Sequence, residues 1–273
     1  MPQRANSRLV GQTAIVSGSS RGIGAAVAVA LAREGANVTI NYHSSEDDAR
    51  QLHDQILDEK PEAGLLLVQA DTSKESDVER MFAETVAKFG TVDIAVANAG
   101  VQRDAATHEM SLAQWQTVID VNLTGQFLIC RAALREFLRR GPREGVSCAT
   151  GKIICMSSVH DVIPWAGHSN YAAAKGGLKM FMETLAQEYG PKGIRVNSVS
   201  PGAIATDINK DVWSDDAKKR ALLELVPYRR MGLPQDIGSV VAWLASDESD
   251  YITGATIYVD GGMTNYPAFA DNG

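Results

Sequence analysis

Apolar residues fall along this chain in two alternating patterns. Short runs rich in valine and isoleucine read as strands buried on both faces. Longer stretches with apolar positions three and four apart read as amphipathic helices. The first pattern predicts strands at 13–17, 37–42, 65–69, 92–97, 152–156, 194–198 and 255–259. The second predicts helices at 23–34, 46–58, 75–89, 111–119, 123–140 and 171–189. Gly35 and Gly90 stand where helices stop, and Ser44 or Ser45 is placed to cap the helix that opens with Glu46, Asp47 and Asp48. Strand and helix alternate throughout with no repeat or linker. The expected architecture is therefore α/β: one doubly wound Rossmann domain over 1–273, its seven-stranded parallel sheet covered by helices on both faces. Segment 202–233 breaks the rhythm with a polar helix at 215–225. A connection of that length inside a compact domain is expected to cover a substrate.

Composition narrows the class. Hydrophobic residues make up 45% and charged residues 22% of the chain, an ordinary globular balance, and the net charge of −7 argues against nucleic-acid binding. Cys130, Cys148 and Cys155 are odd in number and lack metal-ligand spacing, which implies a reducing compartment and no metal site. The N-terminus lacks a signal-peptide core and no long apolar run occurs, so a cytoplasmic, membrane-free protein is expected.

Two stretches carry chemistry. Directly after the first strand comes Gly18-Ser-Ser-Arg-Gly22-Ile-Gly24, then a helix. Glycines there let a pyrophosphate approach the backbone, and the helix N-terminus offers free N–H groups, so a dinucleotide is expected against Gly18, Ser20, Arg21, Gly22, Ile23 and Gly24. The second strand ends Ile40-Asn41-Tyr42-His43 without the carboxylate that usually holds an unphosphorylated ribose. Asn41 stands there instead, and Arg21 is free to meet a 2′-phosphate. NADP(H) is the preferred cofactor on this reading, with NAD(H) a possible second. Further on, Ser158, Tyr171 and Lys175 follow the fifth strand, and Tyr171 and Lys175 share a helix face. A free phenol has a pKa of about 10, and bringing it near 7 takes roughly 4 kcal/mol, which a neighbouring ammonium supplies with the right sign.

With the glycine turn, Asn98-Ala-Gly100, Ser158 and Tyr171-x-x-x-Lys175 in this order, the chain resembles the short-chain dehydrogenases/reductases from Gly11 to Gly262. The resemblance implies that Tyr171 is the acid–base and that Lys175 binds the nicotinamide ribose and lowers the phenol's pKa. It implies that Ser158 orients the substrate oxygen and that Asn122 holds a water relaying protons to Lys175. Asp71 and Thr72 would meet the adenine, Asn98, Ala99 and Gly100 the ribose, and Pro201, Gly202, Ile204 and Thr206 the nicotinamide. A homotetramer is implied as well. Within the family the chain is most similar to bacterial glucose 1-dehydrogenases, which oxidise β-D-glucose to the lactone. Stretches 156–165, 183–195, 202–209 and 260–267 carry that likeness. Ser158, His160, Gln102 and Trp165 would then face the substrate, although Gln102 replaces a glutamate common in that group and the 166–170 loop is smaller. A 3-oxoacyl-[acyl-carrier-protein] reductase-like ketoreductase is the alternative, with Arg139, Arg140 and Lys192 as contacts for an acidic carrier. A non-catalytic nucleotide sensor is a third reading, and the presence of both Tyr171 and Lys175 weighs against it.

Overall fold

The computed structural model describes residues 7–265. Seven parallel strands are ordered β3-β2-β1-β4-β5-β6-β7. They are β1 (Thr13–Val16), β2 (Asn37–Tyr42), β3 (Leu65–Gln69), β4 (Ile94–Ala97), β5 (Gly151–Met156), β6 (Ile194–Pro201) and β7 (Thr256–Val259). The order reverses between β1 and β4, and that switch point opens a crevice at the carboxyl ends of the strands.

Strand pleating sends successive side chains to opposite faces. Ile94 and Val96 therefore join α1 (Gly22–Arg33), α2 (Glu46–Glu59) and α9 (Pro234–Ala245) in one core, while Ala95 and Ala97 join a second core. That second core is completed by α3 (Glu75–Phe89), α5 (Gly125–Arg140) and α6 (Ser169–Tyr189). Burial of the apolar residues from both sheet faces is the main stabilising term, at about 1.5–3 kcal/mol for each fully buried Val, Leu or Ile.

Several elements depart from the sequence expectation. Strand β6 runs on to Pro201, so the residues that follow it start at the crevice itself. The two helices expected at 111–119 and 123–140 are α4 (Leu112–Ile119) and α5, joined without a break by a π-helical turn, Asp120–Thr124. Ser111 caps this assembly by accepting from the Gln114 N–H, while Gln114 bonds back to the Ser111 N–H. Helix α6 begins at Ser169, one half-turn earlier than expected. Ser45 occupies the N-cap of α2, but no side-chain cap forms; the acids of the first turn face the helix dipole instead. The 202–233 segment holds α7 (Lys210–Trp213) and α8 (Asp216–Glu224), the latter close to the polar helix expected. Helix α9 has no counterpart in the periodicity reading, because Pro234 and Gly238 mask it. Proline is in fact suited to its first turn, where Asp236 accepts from the Leu233 N–H. Tyr266 and Pro267 of the tail lie outside the described residues.

Candidate active site

The glycine turn leaves β1 at the switch point. Gly18 has φ of +60°, and a Cβ there would lie 2.9 Å from the Ala99 Cα. A Cβ on Gly24 would lie 2.3 Å from the Gly18 carbonyl oxygen. Only hydrogen at these positions lets the turn pack this tightly between α1 and β4. The first N–H groups of α1 carry no side-chain cap, so they stay open to a pyrophosphate beside the half-buried Ser20, Gly22 and Ile23. The cradle fits a dinucleotide. Arg21 is exposed at its rim.

Asn98 donates to the Ser17 and Gly18 carbonyls at 2.9 and 3.0 Å, bracing β4 against the turn, with Ala99 and Gly100 following it. Asn41 differs from the expectation. It is buried, its Oδ1 accepts from the Gly18 N–H at 2.9 Å, and its Nδ2 donates to the Val68 and Ala70 carbonyls. All of its side-chain polar atoms being engaged, it shapes the cofactor turn from behind rather than reaching a ribose. Glu46 is bonded to Arg50, which takes the nearest acid of α2 out of that position. Asp71 ends up below the ordinary carboxylate range. Burial pushes it up, but hydrogen bonds from Ser73 and the charges of His43 and Lys74 outweigh burial. Thr72 is buried beside it, against Gly125 at the start of α5.

Pro201 closes β6, and Gly202 lies so close to Asp260 that a Cβ would approach its Cα to 2.7 Å. Ile204 pairs with Gly232 across the base of the long segment, and Thr206 bonds Asn209 while its carbonyl accepts from the Trp213 indole. The residues expected at the nicotinamide thus form one pinned turn at the mouth of the crevice.

Ser158, Tyr171 and Lys175 converge as the spacing implies. Ser158 and Gln102 stand near enough to the Tyr171 phenol to favour its ionised form. Ser158 Oγ also accepts from the His160 N–H at 3.2 Å. Lys175 is buried, donates to the Met156 carbonyl at 2.7 Å, and places its Nζ 5.5 Å from the centre of the Tyr171 ring. Without a nucleotide, the Tyr171 phenol lies above its ordinary value. Burial raises its pKa more than Ser158 and Gln102 lower it, and burial brings Lys175 down to about 8. The Asn122 side chain bridges to Val101, accepting its N–H at 2.8 Å and donating to its carbonyl at 2.9 Å.

Beside Tyr171 the rings of His160, Trp165 and His168 form a stack. The indole lies 4.2 Å from His160 and 3.5 Å from His168 between ring centres. Both His160 and Trp165 meet Tyr171 edge-on. His160 Nδ1 faces the Ile163 carbonyl at 3.0 Å, and burial keeps its pKa below the ordinary histidine value. The ring is therefore neutral near pH 7 with Nδ1–H as donor, leaving Nε2 as an acceptor for a hydroxyl. His168 Nε2 lies 3.1 Å from Asp104, and the Ala105 N–H donates to the Gly167 carbonyl, locking the two mouth loops together. Two residues near the site escaped the motif reading. Gln126 is buried and shares the Met156 carbonyl with Lys175, and Asp161 gathers three hydroxyls beneath Ser158.

The basic residues offered to a carrier protein sit at the wrong end. Arg139 and Arg140 end α5 and Lys192 precedes β6, at the amino edge of the sheet, opposite the crevice. Arg139 pairs with Glu136 and Arg140 with Asp93. Among the described residues no helix is long and apolar enough to cross a membrane.

Comparison with known proteins agrees with this geometry. A family model described as enoyl-(acyl carrier protein) reductase matches residues 18–264. The chain is 45% identical to 3beta-hydroxysteroid dehydrogenase 1 of Eggerthella lenta over 96% of its length and 97% of the relative's. It is 42% identical to glucose 1-dehydrogenase 2 of Bacillus subtilis, over 95% and 97%. The crystal structure of a gluconate 5-dehydrogenase from Burkholderia cenocepacia, in complex with NADP and tartrate, superposes with a TM-score of 0.86 at 32% identity, covering 96% of this chain and 98% of that one.

Proposed function

The chain belongs to the short-chain dehydrogenase/reductase family and is an NAD(P)-dependent oxidoreductase acting on CH–OH carbons, and we propose that its substrate is a sugar, oxidised at the anomeric carbon to the lactone. The observation that carries the family chemistry to this chain is the convergence of the Tyr171 phenol on Ser158, with Lys175 beneath. The bound dinucleotide supplies hydride acceptance and, in its oxidised form, a positive ring. In our reading Ser158 holds the substrate oxygen, Tyr171 takes its proton, and Lys175 orients the nicotinamide ribose and passes the proton outward past Asn122. Holding donor and acceptor carbons in line supplies much of the acceleration.

Polar groups at the mouth favour a polyol. Gln102 sits at the phenol, and the neutral His160 presents Nε2 to a hydroxyl, while the stacked indole of Trp165 offers a flat face to a ring. The exposed Val162 and Trp165 favour a second reading, a fused-ring alcohol such as that named for the hydroxysteroid relative. NADP(H) is preferred in our proposal because Arg21 stands exposed at the rim while Glu46 is held by Arg50. We further propose that segment 202–233 covers the substrate, and that the protein works in the cytoplasm as a homotetramer.

The deciding experiment follows nicotinamide absorbance with glucose, other aldoses, a 3β-hydroxysteroid and an acetoacetyl thioester, each with both nucleotides. Glucose with NADP is expected to give the highest kcat/KM. A hydroxysteroid preferred tenfold or more would replace the sugar reading. Arg21→Ser is expected to raise KM for NADP roughly tenfold while leaving that for NAD within about twofold.

A further inference from the structure

Beneath Ser158 three strands end on one carboxylate. Asp161 closes the short 3₁₀ turn after β5, and its N–H donates to the Ser158 carbonyl at 2.9 Å. Its Oδ2 accepts from the hydroxyls of Ser157 at 2.8 Å and Ser200 at 2.7 Å. Its Oδ1 accepts from the Tyr258 hydroxyl at 2.9 Å, and that oxygen accepts in turn from Lys179 Nζ at 3.3 Å. Ser157 precedes Ser158, Ser200 precedes Pro201, and Tyr258 belongs to β7, where it pairs with Ser200. Ser157 and Ser200 are buried, so without this acceptor their hydroxyls lose the partner that burial demands.

We propose that Asp161 is a positioning residue for the reaction: its carboxylate joins Ser157 to Ser200 and Tyr258, and so sets the wall that holds the substrate oxygen in register with the turn that holds the nicotinamide. Each wall ends on a different strand, and main-chain pairing fixes their spacing only as far as the last ladder bond. The ladder reaches these residues, since the Ser157 N–H donates to the Val199 carbonyl and Ser200 pairs with Tyr258, and a charged acceptor shared by both walls ties their side chains there as well, with hydrogen bonds stronger than neutral ones. The same carboxylate is the anion whose charge reaches both Tyr171 and Lys175, and in each it favours the protonated form. The other ionisable groups facing it are His160 on its own turn, Tyr258 on β7 and Lys179 on α6. Burial and Asp161 itself hold the Tyr258 phenol far above its ordinary value, so it donates to Asp161 across the working range.

The inference rests on the proposed roles of Ser158 and Tyr171, and its test separates the two. Asp161→Asn keeps the shape but withdraws the charge and one acceptor. It is expected to lower kcat tenfold or more, with nucleotide Kd within twofold and the thermal midpoint little changed. The acid limb of the pH profile for alcohol oxidation is expected to move to lower pH, because the charge opposing phenolate formation is gone. Asp161→Glu is expected to recover part of kcat, and Tyr258→Phe to lose two- to fivefold. Tyr171→Phe serves as the reference. If it keeps turnover, the underlying catalytic reading fails. If it is inactive while Asp161→Asn keeps kcat within twofold and an unshifted profile, the positioning role alone is overturned. Equal losses of kcat, nucleotide affinity and midpoint in Asp161→Asn would also overturn it, by making the residue a structural tie.

Discussion

Two lysines are buried at opposite ends of this sheet, and their surroundings could hardly differ more. Lys152, at the amino edge, is 1% exposed and donates to Gln12 Oε1 at 2.7 Å and to Ser147, with Asp247 at 3.5 Å. Lys175, at the carboxyl edge, is 3% exposed and donates to the Met156 carbonyl, with no carboxylate at ion-pair distance among the described residues. Burial lowers the pKa of both. Around Lys152 the amino edge is a closed set of charges: Asp93 accepts from the Thr13 N–H and pairs with Arg140 and Arg143, and Arg195 donates to the Leu244 and Ser246 carbonyls. A structural lysine is given every acceptor it can use; the one at the crevice keeps donors in hand. That difference separates the end that holds the molecule together from the end where, in our proposal, it reacts.

Substitutions at the two ends should separate accordingly. Lys175→Met is expected to lower kcat/KM by roughly 10²–10⁴-fold while unfolding at the same or higher denaturant concentration. Asp93→Ala should do the reverse. It leaves the largely buried Arg140 guanidinium, and the partly exposed Arg143, without their anion, with an expected loss of about 3 kcal/mol in denaturant unfolding and an unchanged kcat in the folded fraction.

Lys175 also carries a pH signature. Its pKa is about 8 in the folded chain against an ordinary 10.5. Between those values the unfolded chain binds the extra proton, so stability rises with pH through the window and is flat below it. The thermal midpoint of the native chain minus that of Lys175→Met should climb from about pH 8 to 10.5, by the equivalent of roughly 3 kcal/mol. A flat difference would mean that the lysine is better solvated than its burial implies. Smallest is Lys152→Met, which orphans Gln12 Oε1 at a cost of about 1–3 kcal/mol with activity within twofold. Asp247, being partly exposed, stays solvated.

Sequence made the reactive end easier to see than the structural one. The glycine turn and the Tyr171–Lys175 pair are legible because each is local: a few residues at fixed spacing dictate a backbone path or a shared helix face. Asp161 is not legible, since its three partners arrive from β5, β6 and β7 and nothing in its own neighbourhood announces them. Asn41 reads as a ribose contact because it stands near the end of β2, and only the position of Val68 in β3 and Ala70 just beyond it reveals that its amide points inward. The order of elements also locates the basic residues considered for a carrier. In a parallel sheet, residues that lead into strands lie at the amino edge, so Arg140 and Lys192 could not have bordered the crevice.

The π turn at Asp120–Thr124 has a consequence for how the gene for such a protein can vary. One surplus residue in mid-helix offsets everything after it by about 100° around the axis. The part that leads toward the mouth loops and the part that fills the lower core are thereby phased independently. Point changes can be absorbed on either side, whereas excising a single codon within those five positions would rotate one part against the other and misdirect every side chain along it.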